Sequence, residues 1–527
     1  MSKDKFLHGA MILTLAGLVV KIIGSVNRIL LSRLLGGEGI GLYQMAYPVY
    51  LLLLAISSAG IPVAISIIIS RYLAKGDLGN VRRVFRLSLS LMAALGLSLA
   101  LLLMLAAGWL VDSGVIKDGR AYYSLVALAP AVFFGTVLAS FRGLFQGYQL
   151  MTPPAVSQIL EQFIRVVTML VLAYVLLPYG LEYAAAGAAF GAVPGSLMGM
   201  LVLFGFYRYY RKHWLQQAEL APCSERISSS SLIKELLLLA LPVSCANVLV
   251  PVSGSIDVLL VPGYLIDSGF TVEQATTLFG YFAGMAQPLL LLATIPTLSL
   301  ATSLVPAVAE ASTLKRWDII AAKGSTAMKL CCLITVPAAV GMWVLAEPIS
   351  RLLYGTSKAG VAIMHAAPSL WLLGMHQVTT GLLQGMGHSS LPMLHMLAGI
   401  VAKVIAVGKL TNAQWNIAGV AWATNINFGL TALLNILALR YYKINFRWYN
   451  IIKIIFAAVL MGAAAYWSYA LLLPKLGFII ATLGSMALAA VFYGALLVLL
   501  QVVNAAELQK LPLAAKIIQK INLGKKG

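Results

Sequence analysis

The 527 residues are 61% hydrophobic and only 10% charged, and Lys and Arg outnumber Asp and Glu to give a formal net charge of +20. Soluble domains carry roughly a quarter charged residues, so the composition excludes a soluble globular protein. The apolar runs also lack the period-two alternation of a membrane β-barrel, and basic residues gathered in alternate loops point to a positive-inside membrane protein rather than to nucleic-acid binding.

Apolar runs of about 18 residues or more recur from end to end, which predicts an all-α polytopic membrane protein of about 14 transmembrane helices. The spans read as roughly 6–35, 41–73, 84–111, 121–148, 154–178, 183–210, 232–261, 274–309, 325–347, 361–386, 391–411, 416–441, 448–473 and 477–504. The first run is too long for a cleavable signal and lacks a small-residue cleavage site. One alternate set of loops holds Lys3, Lys5, Arg71, Lys75, Arg82, Arg83, Arg86, Arg208, Arg211, Lys212 and their later equivalents. The opposite loops hold only Lys117, Arg120, Arg351, Lys358, Lys409 and Lys475. Both termini are therefore expected in the cytoplasm. The basic tail 506–527 has Leu513, Ile517 and Ile521 at helical spacing and is expected either to lie on the anionic inner leaflet or to be a plain solvated tail.

The first span contains KIIGSVNRILLSR, Lys21–Arg33. Lys21 lies midway along the apolar run, where a lipid-facing charge costs roughly 2.5–3.5 kcal/mol. Arg28 returns to nearly the same face two turns later. A stripe of this kind fits a polar cavity for an anionic substrate, because arginine offers a fork to phosphate oxygens and lysine a mobile point charge. The alternative for Arg28 is snorkelling toward the surface. Arg33, nearer the helix end, reads as an interfacial anchor. Farther on, Glu161 and Arg165 stand i,i+4 in the favourable order for pairing. They are either an inert structural pair or a pair that opens to substrate. Arg142, before the GLFQG segment, reads as a gate or packing residue.

The chain contains a repeat. GSVNRILL at Gly24–Leu31 has a counterpart in GSIDVLLV at Gly254–Val261, and LLLLA at Leu51–Ala55 recurs at Leu289–Ala293. GLFQG at Gly143–Gly147 matches GLLQG at Gly381–Gly385, Pro154 matches Pro392 and Arg165 matches Lys403. AGAAF from Ala186 matches AGVAW from Ala418. Two six-helix lobes, 1–212 and 231–443, are therefore expected in pseudo-twofold repeat about an axis along the membrane normal. A linker, 213–230, would join them, with a C-terminal helix pair in 444–505 and the tail beyond. Asp257 and Lys403 are the second-lobe counterparts of Asn27 and Arg165; a pair between them would reduce the cost of burying both.

Cys223, Cys245, Cys331 and Cys332 have no metal or disulfide spacing and read as small core residues. His365, His376, His388 and His395 are scattered, and there is no Walker loop and no nucleophile–base pair. No metal, cofactor or enzymatic activity is expected.

FLHGAMILTLAGLVVKIIGSVNRILLSRLLGGEGIGLYQMAYP, FRGLFQGYQLMTPPAVSQILEQFIRVV and LPYGLEYAAAGA resemble the stage V sporulation protein B family. That family is similar to MurJ-type lipid II flippases of the multidrug/oligosaccharidyl-lipid/polysaccharide exporter superfamily. The resemblance implies a flippase for an undecaprenyl-pyrophosphate-linked peptidoglycan precursor, working by alternating access in the bacterial cytoplasmic membrane during cell-wall or spore-cortex synthesis. Substrate and membrane lipids would be its partners, with peptidoglycan synthases as a further candidate and nucleic acid excluded. The expected substrate contacts are Lys21, Asn27, Arg28, Glu161 and Arg165, with Asn27 standing where lipid II flippases place an arginine. Helices 2 and 8 lack the cavity arginines of lipid II flippases. Asp257 and Thr424 resemble part of a sodium site in some of those proteins, but Lys403 would stand in for the cation. A gating or charge-balancing role is therefore expected for Asp257, Lys403 and Thr424, without tight sodium binding. Alternatives left open are a flippase for another polyprenyl-linked oligosaccharide, a multidrug/cation antiporter and a non-transporting scaffold.

Overall fold

The computed structural model describes residues 3–58, 60–219, 228–446 and 448–502. The tail 506–527, the 220–227 part of the linker and Cys223 lie outside the described residues, as does the side chain of Cys245. Among the described residues, ten helices are long and apolar enough to cross a membrane, and the chain is an all-α polytopic membrane protein. The described residues group into two compact units: Met1–Leu292 with Val404–Val420, and Ala293–Lys403 with Ala421–Gly527.

The first unit opens with α1 (Lys3–Ser58), followed by α2 (Ile61–Ala74), α3 (Leu78–Asp112), α4 (Ala121–Gly147) and α5 (Thr152–Leu176). Then come α6 (Leu181–Phe190), α7 (Ala192–Glu219), α8 (Ser229–Asp267) and α9 (Val272–Phe279). A π-helical stretch, Gly280–Ala286, leads into α10 (Gln287–Ala293). The helix α1 is not one rod. Gly36 has φ 67° and ψ −170° inside it, a conformation a side chain would strain. Straight, Arg28 and Tyr47 would be about 28 Å apart at the helical rise. Instead the Arg28 guanidinium lies 5.3 Å from the centre of the Tyr47 ring, so the chain reverses at Gly36 and its arms pack side by side. The expected span 41–73 is also interrupted, since α1 ends at Ser58 and α2 begins at Ile61 with Pro62 in its first turn. Proline fits there because its missing N–H would be unsatisfied in any case. The core of α2, α3, α4, α7 and α8 is built from Ile65, Phe85, Phe141, Phe145, Leu203 and Leu232 among others. The opposite face of α3 leaves Leu101, Leu105 and Trp109 exposed, as a lipid-facing surface requires.

The second unit contains α11 (Ile295–Thr313), α12 (Trp317–Val344), α13 (Ala346–Tyr354), α14 (Gly360–Ala366) and α15 (Pro368–Gly385). Most of α16 (Ser390–Leu410) and α17 (Asn416–Tyr441) belongs to it, with α18 (Trp448–Leu499). This last helix also folds back, at Gly477 with φ 73°. Lys453 Nζ donates to the Leu500 carbonyl at 2.9 Å, though a straight helix would separate them by about 70 Å. Cys331 and Cys332 are buried, free thiols.

Candidate functional site

In the first unit two intramembrane arginines meet on one carboxylate. Glu161 on α5 accepts from Arg165 Nη2 at 2.8 Å through Oε1, and from Arg142 Nη2 of α4 at 2.6 Å through Oε2. The backbone explains why α5 can carry such bulk here. Gly191, just before α7, and Gly195 and Gly199 within it lie along one stripe, and a Cβ at Gly195 would sit 2.8 Å from Arg165 Cβ. Small residues at four-residue spacing let two membrane helices approach closely. The α7 backbone therefore packs against the roots of Glu161 and Arg165 and holds that face of α5 in place.

The first arm of α1 lies along α5. A Cβ at Gly24 would be 3.2 Å from Gln162 Nε2, and buried Asn27 donates from Nδ2 to Met169 Sδ at 3.4 Å. Arg28, half-buried, reaches across the fold-back to the face of Tyr47, a cation–π geometry. Tyr43 and Tyr47 stack at 5.2 Å, and Tyr47 and Tyr50 lie 5.7 Å apart. Arg28 and Arg165 both act electrostatically on Tyr43, and Arg165 also acts on Tyr50. Arg165 thus joins two groups: with Arg142 it shares the Glu161 carboxylate, and with Arg28 it stands beside the tyrosine ladder. Among the described residues, the Nε–H groups of Arg142 and Arg165 are buried without a hydrogen-bond partner, as is Asn27 Oδ1. The cluster has a cationic surplus and donors to spare, which suits it to an anion with several oxygens.

Of the residues expected at this site, Asn27, Arg28, Glu161 and Arg165 come together, and Lys21 lies on the same arm as Arg28. Lys21 is exposed; its backbone carbonyl accepts from Ser25 Oγ at 2.9 Å. Sequence reasoning gave Arg142 a separate gating or packing task, whereas the structure joins it to Glu161. It also passed over Tyr43, Tyr47 and Tyr50, whose helical spacing marks one face of an arm. Asp257 belongs to the first unit, and Lys403 and Thr424 to the second. All three are buried, and none lacks a partner.

A second polar cluster centres on Asp118 and Arg120, between α3 and α4. Arg120 donates to Asp118 from Nε and Nη2 and to Glu38, beside the α1 fold-back, at 2.6 Å. Thr276 Oγ1 of α9 donates to Asp118 Oδ2 at 2.7 Å. Burial pushes the Asp118 carboxyl up, but the hydrogen bonds from Arg120 and Thr276 outweigh it and hold the group below the ordinary carboxylate range. The two carboxylates raise the Arg120 guanidinium, against the effect of its own partial burial.

The family described as polysaccharide biosynthesis protein matches residues 6–312, and MatE matches residues 282–408. Stage V sporulation protein B of Bacillus subtilis (strain 168) is 32% identical over 441 residues, covering 82% of this chain and 83% of that protein. Lipid II flippase MurJ of the same organism is 24% identical, with 76% of each chain covered. The solved structure of lipid II flippase MurJ in an inward closed conformation aligns with a TM-score of 0.68 at 15% identity, over 93% of this chain and 99% of that one. That last likeness establishes a shared fold.

Proposed function

The chain belongs to the polysaccharide biosynthesis protein family, and from that premise we propose that it is a flippase for a lipid-linked peptidoglycan precursor, resembling lipid II, with a task in cell-wall or spore-cortex synthesis. It is a transporter and not an enzyme. The observation that carries this reading is the arginine–tyrosine cluster around Glu161, with its buried, unused N–H donors. A pyrophosphate joined to a sugar presents the anionic oxygens and the hydroxylated faces that arginines and aromatic rings receive. Arg28 and Arg165 would hold the pyrophosphate, with Lys21 and Asn27 along the same arm and Glu161 releasing Arg165 as substrate arrives. The polyprenyl tail would stay in lipid.

In this reading the lobes 1–212 and 231–443 rock about the cavity by alternating access. Both termini lie in the cytoplasm, and Asp257, Lys403 and Thr424 balance charge during gating. Lys403 supplies the cation, so sodium is not required.

Reconstitution in liposomes with labelled lipid II and other polyprenyl-linked glycans tests the reading through outer-leaflet exposure of the head group. Wild type should flip a pyrophosphate-linked glycan, Arg28→Ala should lose most of that activity and Lys21→Ala part of it. Normal flipping by both variants would remove the cavity assignment. Transport of an organic cation in place of any glycan, or intact synthase binding without flipping, would replace the flippase reading.

A further inference from the structure

At the end of the first unit where α3 begins and α4 and α7 end, an open cleft encloses about 430 Å³, solvent-facing space included. Its walls are aromatic. Trp214 stacks on Tyr148 at 4.1 Å with the rings 11° from parallel, and Tyr207 lies 5.2 Å from Phe85. Its rim is cationic, formed by Arg82 of α3 and Arg211 of α7. Both arginines are exposed. Among the described residues neither has an acidic partner. At the same end, Arg71 pairs with Glu235 and Arg83 donates to Ser229.

Tyrosine and tryptophan gather where a membrane protein meets the headgroup layer, because the ring is apolar and its N–H or O–H is wet. Two exposed guanidiniums, without an acidic partner among the described residues, stand above such a wall and make a pocket for a phosphodiester, with the aromatic floor left for glycerol and the first acyl carbons. Basic pockets between transmembrane helices receive anionic lipid headgroups in this way. The Glu161 cluster is separate: none of its residues lines this cleft.

We propose that the cleft between α3, α4 and α7 is a binding site for the headgroup of an anionic phospholipid of the surrounding bilayer, held by Arg82 and Arg211 over Tyr148, Tyr207 and Trp214. The site does not depend on what the protein transports.

The test uses the full chain purified in mild detergent, with lipid retention read by native mass spectrometry. Phosphatidylglycerol is titrated against wild type and R82Q/R211Q, with phosphatidylcholine as the uncharged arm and inorganic phosphate as competitor. Wild type should retain one phosphatidylglycerol in preference to phosphatidylcholine, and the double variant should bind it about 30-fold more weakly. R208Q, which removes an exposed charge outside the cleft, should bind as wild type does. Both substitutions in the double variant are of exposed side chains, and a monodisperse elution profile checks that it folds. Equal retention by wild type and R82Q/R211Q would overturn the proposal. So would equal retention of the two lipids, or full displacement by millimolar inorganic phosphate, which would mark a small-anion site.

Discussion

On α5 of the first unit, Glu161 binds two arginines; at the matching point of the repeat, α16 of the second unit has Gly399. The alignment of Pro154 with Pro392 sets this register, and it places Thr380 opposite Arg142. On the partner helices the sizes are reversed. Gly195 and Gly199 of α7 correspond to Asn427 and Thr431 of α17, and a Cβ at Gly399 would lie 2.4 Å from Asn427 Oδ1 and 2.3 Å from Thr431 Oγ1. One interface is close because α7 has no side chains where α5 is bulky; the other because α16 has none where α17 is bulky. Around Gly399 the hydrogen-bonding groups are a histidine, an amide and hydroxyls, with buried Lys403 one turn farther along α16. His395 Nδ1 meets Asn435 Oδ1 at 2.7 Å, and Asn435 Nδ2 donates to Thr379 and Thr380 at 3.1 and 3.2 Å. A common backbone plan thus carries a buried ionic network in one half and an amide–hydroxyl network in the other.

The largest expected effect comes from breaking the ionic network. Glu161→Gln leaves Arg142 and Arg165, only 23% and 14% exposed at their side chains, without their shared acid. Removing one partner of a buried ion pair costs about 3 kcal/mol or more, so the variant should show a marked fall in thermal midpoint and in folded yield. In the second half Thr380→Ala removes the hydroxyl that meets Asn435 Nδ2 at 3.2 Å and His376 Nδ1 at 3.4 Å, and should cost about 1 kcal/mol. Equal effects of the two changes would erase the distinction between the halves.

Next in size is the exchange of glycines. Gly399→Ala should destabilise by about 2 kcal/mol through overpacking. The nearest obstacles are side-chain oxygens, so adding Asn427→Ala and Thr431→Ala should recover part of the loss, with the Asn427 carbonyl at 2.8 Å limiting the rescue. Gly195→Ala in the first half meets Arg165 Cβ, which only glycine would remove, and the Glu161 backbone carbonyl, which no substitution removes. Denaturation midpoints of the single and combined variants in detergent would separate the two cases.

The long apolar runs were legible because each is a local pattern in the chain. Spans 6–35 and 41–73 left a gap around the fold-back at Gly36. The break between Ser58 and Ile61 was missed, since apolar residues continue across it and hydropathy does not register a turn of backbone. Arg142 was assigned alone because its partner is on another helix. The tyrosine ladder was passed over because aromatic spacing on an apolar helix looks the same whether it faces a cation or lipid. In each miss, the deciding information was which helix lies alongside, and that is a property of the packing.

Outside the spans, the first unit has a further ionic feature that responds to acid. Asp118 is held below the ordinary carboxylate range by hydrogen bonds that outweigh its burial. A depressed folded pKa contributes stability that is fully present above the unfolded value of about 4 and is lost as pH falls through the folded one. Asp118→Asn should therefore lower stability at neutral pH by about 1 kcal/mol. The deficit should shrink below about pH 4, where wild type gives up the same contribution. A pH series of thermal midpoints checks this; a constant gap down to the lowest pH would assign the loss to packing.

The smallest effect tests whether the proposed anion site uses its aromatic face. Arg28 and Tyr47 correspond through the repeat to Val258 and Met285, so the cation and the ring are both replaced by apolar types. A cation over an aromatic ring is worth about 0.5–1 kcal/mol where it is partly exposed. Tyr47→Leu should therefore shift the thermal midpoint only slightly and reduce flipping less than Arg28→Ala does. Tyr47→Phe keeps the ring that orients the guanidinium and should transport close to wild type. If Tyr47→Phe fails as badly as Tyr47→Leu, the hydroxyl is the group in use, and Tyr47 becomes a hydrogen-bond donor to substrate instead of a platform for Arg28.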